Sequence, residues 1–143
     1  MIRKFLHELI QEVLDSNDKE IKLRDLMAQS IHFADFIDLT YNLNYNWEFD
    51  KKYYKKSRSR RPNGGVVNEW VSIIKLMKNQ LINNTIESPN FTRKLDRYLE
   101  NCNQEDIRIL LCSLKNRSIQ YLQTKKIYEW FPEFNKQENK NEN

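Results

Sequence analysis

At 143 residues the chain is long enough for one domain with a real core and too short for two comfortable ones. Charged residues make up 31% of it, but 12% aromatics, with Trp47, Trp70 and Trp130 spread along its length, argue against disorder, because aromatic rings bury large apolar areas. With 2 Gly and 3 Pro it lacks the punctuation that hairpin-joined sheets need, and its net charge of +4 points to acidic partners only where the cations cluster.

Ile2, Phe5, Leu6, Leu9, Ile10, Val13 and Leu14 recur at three- and four-residue steps, which predicts an opening helix with one buried face. Asn17 or Asp18 caps the next helix, where Ile21, Leu23, Leu26, Met27 and Ile31 follow less regularly. Phe33, Phe36, Ile37, Leu39 and Tyr41 predict a short helix ending near Asn42. The stretch from 43 to 65 then changes character. It sets Tyr45, Trp47, Phe49, Tyr53 and Tyr54 among Lys51, Lys52, Lys55, Lys56, Arg58, Arg60 and Arg61, and closes on a Pro62-Asn63-Gly64-Gly65 loop.

Val67, Trp70, Val71, Ile73, Ile74, Met77, Leu81 and Ile82 predict the longest helix, ended by Asn83-Asn84-Thr85. Pro89 and Asn90 introduce a helix from about Phe91 to Asn101. Asn103 and Asp106 approximate a capping box for the one after it, with Glu105 also favouring the positive end of that helix. A last helix is predicted from about Ser118 to Trp130, stopped by Pro132. Residues 135–143 read as a disordered polar tail, leaving 1–134 as one all-α domain of about six to seven helices with a basic aromatic loop near 43–65.

The sharpest physical signal is the segment Lys51 to Arg61. Seven cations in eleven positions repel one another, whereas a polyanion rewards the arrangement by releasing counterions. Lysines and arginines bridge successive phosphates, and the tyrosines add hydroxyl contacts or stack on exposed bases. The plainer alternative is a solvated loop with no ligand. Lys115, Arg117, Lys125 and Lys126 form a second cationic set, in line with one another if the last helix is continuous; its plainer alternative is an ordinary exposed helix face.

Other constellations are weaker. Lys94-Leu95-Asp96-Arg97 resembles the Lys-x-Asp-Gly of enzymes that attach AMP to a lysine, but it has Arg97 in place of the glycine and reads as mid-helix. Ile127, Trp130 and Phe131 have the spacing of a sliding-clamp-binding box, with Thr124 where that box has glutamine; core closure explains them as well. Cys102, Cys112, His7 and His32 fit no zinc spacing, and the cysteines are expected to be free thiols in a reducing compartment. No phosphate loop, catalytic triad or convergent carboxylate pair is visible in the sequence, so neither a catalytic residue, a metal nor a cofactor is expected. Nothing approaches a signal-peptide core or a membrane span, and the expected location is cytoplasmic, in the host if the chain is phage-encoded.

Several of these segments together resemble the amino-terminal helical DNA-binding domain of bacteriophage-type ATP-dependent DNA ligases. Met1-Ile2-Arg3-Lys4-Phe5-Leu6-His7-Glu8-Leu9-Ile10 is similar to its opening helix, and Leu39-Thr40-Tyr41 with Lys51-Lys52 to its tyrosine-lysine segment. Tyr98-Leu99 with Glu105-Asp106-Ile107 and Leu110 resembles its acid-capped helix pair. Lys125-Lys126-Ile127 with Trp130-Phe131-Pro132-Glu133-Phe134 resembles its closing element. Two positions depart: Leu81-Ile82-Asn83-Asn84-Thr85 stands for the family's Leu-Thr-Gly-Asn, and Asn116 to Tyr121 lacks the family's glycine.

The resemblance implies a non-catalytic domain that grips double-stranded DNA through phosphates and the minor groove, in replication or repair, without the chemistry of the catalytic domain. The implied contacts are the seven cations of 51–61, Asn83, Asn84, Thr85, Lys115, Arg117, Lys125 and Lys126. The implied protein partners are a separately supplied ligase, a sliding clamp or another replication protein. The alternative is a protein-interaction module on the same fold that binds a replication or host protein.

Overall fold

The computed structural model describes residues 4–45, 66–83 and 89–135. Among the described residues seven α-helices follow one another: α1 (Leu6–Asp15), α2 (Lys19–Gln29), α3 (Ile31–Tyr41), α4 (Glu69–Asn83), α5 (Pro89–Asn101), α6 (Gln104–Asn116) and α7 (Thr124–Trp130). A 3-10 turn, Pro132–Phe134, comes last. The described residues contain no strand beyond an isolated bridge between Ile119 and Leu122, so the domain is all-α. The expected tail lies almost wholly outside the described residues, as do Ile2 and the cations of 51–61.

The helices start where short polar side chains satisfy orphan amides. Asp18 caps α2 by accepting from the Ile21 amide at 3.1 Å. Ser30 ends α2 and begins α3: its own amide reaches Leu26 O, and its hydroxyl accepts from the Phe33 amide. Pro89 opens α5, where a missing N–H costs nothing.

The apolar periodicity becomes one core. Leu6, Leu9, Ile10 and Val13 of α1 join Phe33, Phe36 and Ile37 of α3, Trp70 and Ile73 of α4, and Leu110 and Leu111 of α6. α3 packs on α2, α4 and α6; α4 packs on α5 and α6; α1 packs on α2 and α6. Trp70 also donates its indole N–H to Lys4 O at 2.9 Å, tying the entry to α1 onto α4. Ile21 and Ile31 depart from their expected place on the buried stripe, being 65% and 66% exposed.

Asn103 caps α6 as expected, accepting from the Glu105 and Asp106 amides. Asp106 does not complete a box by reaching back. Its carboxylate, 1% exposed, accepts from the Leu6 and His7 amides at 3.0 and 2.8 Å and meets His7 Nδ1 at 2.7 Å. One aspartate near the start of α6 thereby caps α1, a hundred residues away. Burial pushes its pKa up, while the His7 and Leu6 hydrogen bonds work in the opposite direction.

The largest correction concerns the last helix. It begins at Thr124, not near Ser118, because Arg117 turns left-handed (φ 58°, ψ 33°) and ends α6. Residues 119–122 then form a tight turn, with the Leu122 amide donating to Ile119 O at 3.0 Å. Tyr41, fully buried at the end of α3, holds that turn from inside. Its hydroxyl donates to Leu122 O at 2.7 Å and accepts from the Ile119 amide at 2.9 Å.

Tyr41→Phe keeps the ring and removes both hydrogen bonds, leaving the buried Ile119 amide without the hydroxyl acceptor. Urea denaturation should show a loss of about 1–3 kcal/mol with an unchanged m-value. An unchanged midpoint would mean that the hydroxyl does not hold the turn.

Candidate nucleic-acid interface

The strongest predicted set, Lys51, Lys52, Lys55, Lys56, Arg58, Arg60 and Arg61, lies outside the described residues, as do Asn84 and Thr85; Asn83 is the last residue of α4. The described chain on either side of the basic segment is fastened to the helical body. Before it, the Tyr45 hydroxyl donates to Asp38 Oδ2 at 2.6 Å, and Lys78 of α4 reaches the same carboxylate at 2.8 Å and the Tyr45 oxygen at 3.1 Å. The Lys78 ammonium also sits 5.4 Å from the Tyr45 ring centre and 3.4 Å from Asp35 Oδ1. After it, the Val66 amide donates to Asn101 O at the end of α5, at 2.8 Å.

The electrostatics of the first anchor are self-consistent. Burial disfavours the charge on Asp38, but hydrogen bonds from Lys78, Tyr45 and Asn42 outweigh it and hold the carboxyl below its ordinary value. Burial likewise opposes the charge on Lys78, and its bonds to Asp38 and Tyr45 hold its pKa above the ordinary lysine value. Burial, and then the bond to Asp38, push the Tyr45 phenol up. The charged pair with a neutral phenol is therefore the resting state.

The second predicted set is divided by the break between α6 and α7. Lys115, Lys125 and Lys126 are exposed, Lys126 lying 3.7 Å from Glu129. Arg117 is directed elsewhere. Its guanidinium donates to Thr40 O at 3.3 Å and Asn42 O at 2.7 Å, the carbonyls left open at the end of α3, and Tyr128 donates to Tyr41 O between them. The continuous cationic face that would have joined Arg117 to Lys125 and Lys126 is not formed. Even so, Ile107 to Tyr128 carries five cations and no carboxylate in its 22 residues.

The remaining motifs resolve into structure. Ile127 and Phe131 are buried and Trp130 is half-buried, so two of the three clamp-box side chains close the core. Arg24 covers this end, its guanidinium 4.4 Å from the Phe131 ring centre and bonded to Trp130 O. Lys94 stands exposed within α5 and Leu95 is buried, as a mid-helix register requires. Cys102 and Cys112 form no disulfide; Cys102 is buried, which raises its thiol pKa, with the charges of Asp106 and Glu69 adding to the effect. His7 and His32 are both half-buried, and each has its own helix, α1 and α3.

Sequence reasoning missed Lys78 and Asp38, the internal role of Arg117 and the reach of Asp106 to α1. For the first pair a signal existed: Asp35 and Asp38 lie one turn apart on an otherwise apolar helix, a spacing that invites a cation from a neighbour. Arg117 carries no comparable signal, because an arginine after a helix looks the same whether it faces phosphate or a carbonyl.

Comparison with protein-family models, with curated proteins and with solved structures yields no match. The helical fold thus stands on its own geometry, and the resemblance to ligase DNA-binding domains enters as a proposal.

Asp38→Asn should destabilise the domain by about 1–3 kcal/mol at pH 7, since it removes the nearer carboxylate from the half-buried Lys78 ammonium and leaves it Asp35 at 3.4 Å. Because the Asp38 pKa is depressed on folding, its contribution is complete above the ordinary value of 3.8 and is lost as pH falls through the folded value. Denaturation curves of wild type and variant should therefore converge on acidification below pH 3.8. A gap that stays constant with pH would remove the ion pair as the cause.

Proposed function

We propose that this helical domain is a non-catalytic, largely sequence-independent binder of duplex DNA, acting alone or beside a separately supplied ligase or replication protein. The observation that carries the reading is the segment Lys51–Arg61, with seven cations in eleven positions, bordered on both sides by residues bonded to the helical body. Like charges so concentrated lower no energy in the free protein; neutralising phosphates and releasing counterions does. Lys115, Lys125 and Lys126 add exposed cations on a stretch without acids. The likeness in order and spacing to ligase DNA-binding domains supports the same reading. Arg117 is left out of the contact set, since its donors already serve the α3 carbonyls. The protein-interaction alternative, a clamp-binding module, loses support from the burial of Ile127 and Phe131.

Gel shifts with intact, nicked and single-stranded DNA and with duplex RNA, repeated across salt concentrations, test the reading. If ~5 phosphates are engaged, log K for intact duplex should fall against log salt with a slope of about −4.5. Replacing Lys51, Lys52, Lys55 and Lys56 by Gln should flatten that slope by up to about 3.6. A slope near zero in the wild type, or a replacement without effect, rejects it.

A further inference from the structure

Tyr121 is the one exposed aromatic among the described residues, at 77%, and it occupies a backbone position that suits it poorly. In the turn closed by the Leu122 amide on Ile119 O, Tyr121 is the third of four residues and has φ 70°. Gln120 before it does not have a positive φ, which makes this a type II turn, whose third position ordinarily takes glycine. A residue with a Cβ is strained there, and a bulky one is an outlier. The strain of Arg117, the other left-handed residue, is repaid inside the fold by its carbonyl contacts. Tyr121 has no such return. Its side chain makes no hydrogen bond or ring contact among the described residues, and the turn itself is held by Tyr41.

The surroundings show what an exposed ring would meet. Along the chain Tyr121 falls between exposed Lys115 at the end of α6 and exposed Lys125 and Lys126 at the start of α7. From Asp106 to Glu129 no acidic residue intervenes. The ring also lines a groove of about 800 Å³ together with Gln11, Asn116 and Gln120, whose amides can both donate and accept. Glu8, Glu105 and Arg108 line it too, but both carboxylates are already engaged, Glu8 by the Phe5 amide and Glu105 by Arg108. An exposed aromatic face with amides beside it and exposed cations near it in the chain suits a nucleotide: ring on base, amide on base edge, ammonium on phosphate.

We propose that Tyr121 is a stacking platform for an unstacked nucleobase at a gap, strand end or single-stranded stretch, with Lys115, Lys125 and Lys126 holding the adjoining phosphates. An intact duplex offers no free base face, so this site distinguishes interrupted from continuous DNA. The inference rests on the nucleic-acid reading above and adds a specificity to it.

The test uses the full chain, fluorescence anisotropy with an intact duplex and with the same duplex carrying a short single-stranded gap, and thermal denaturation of each variant. Wild type should prefer the gapped duplex. Tyr121→Ala should weaken gapped binding by roughly 5- to 150-fold, the range for losing one base–aromatic stack, and leave intact-duplex affinity in place. Tyr121→Phe should keep the preference. Tyr121→Gly should lose it as alanine does while raising the Tm, because glycine relieves the turn.

Gapped binding unchanged in Tyr121→Ala, an equal loss on both duplexes, or a lowered Tm in Tyr121→Gly would each overturn the inference. In those cases salt-dependent binding of intact duplex by the wild type keeps the broader reading. A wild type that binds neither duplex removes both.

Discussion

The open carbonyls at the end of α3 organise the segment from Arg117 to Tyr128. A helix leaves its last carbonyls without intrahelical donors, and here they are buried near the C-terminal segment instead of being left to water. Arg117 takes Thr40 O and Asn42 O, and Tyr128 takes Tyr41 O. The Tyr41 hydroxyl joins the far side to the same chain segment through Ile119 and Leu122. Residues 117–128 are thus drawn onto α3, and the helix that would have run on from α6 is broken to allow it. The position of Lys115, Tyr121, Lys125 and Lys126 on the surface follows from that break.

Charge in this protein is sorted by location. The acids of α3, Asp35 and Asp38, are used internally by Lys78, and Asp106 is used internally by the amides of α1. What remains outward from Ile107 to Tyr128 is cationic. A net charge of +4 would mean little if spread evenly, but the stretch from Ile107 to Tyr128 gathers five cations and no carboxylate of its own. Placing carboxylates inside has a cost in desolvation, which Asp38 offsets with donors from Lys78, Tyr45 and Asn42, and Asp106 with two amides and an imidazole.

Those internal acids also explain how a chain with short helices holds together. α1 has ten residues and α7 has seven, lengths that are marginal in isolation. α1 is completed by Asp106 from α6 and by Trp70 from α4, and α7 leads directly into Phe131 and Phe134, stacked with ring centres 5.3 Å apart. Leu43 donates its amide to Phe134 O, so the chain leaving α3 is paired with the end of the domain. Helices that would not persist alone are stabilised by partners distant in sequence.

The sequence alone determined the class of fold, because three- and four-residue apolar spacing is a local property: Leu6, Leu9, Ile10 and Val13, or Trp70, Ile73, Ile74 and Met77, bury one face whatever lies beyond it. It also determined the cap at Asn103 and narrowed that of α2 to Asn17 or Asp18, since such caps act within three residues. It gathered the cations of 51–61 into one segment, whose mutual repulsion is set by composition alone. Only the tertiary structure decided which polar groups were already engaged. Asp106 looked like a local cap and serves a distant helix; Arg117 looked like a phosphate ligand and serves α3; Ile127 and Phe131 looked like a docking motif and fill the core. The break after Asn116 was equally hidden, because neither glycine nor proline marks it and its cause, the buried hydroxyl of Tyr41, lies about eighty residues earlier. A side chain's donors and acceptors are fixed by its chemistry, but their partners are fixed by packing, and packing brings together residues that no local pattern relates.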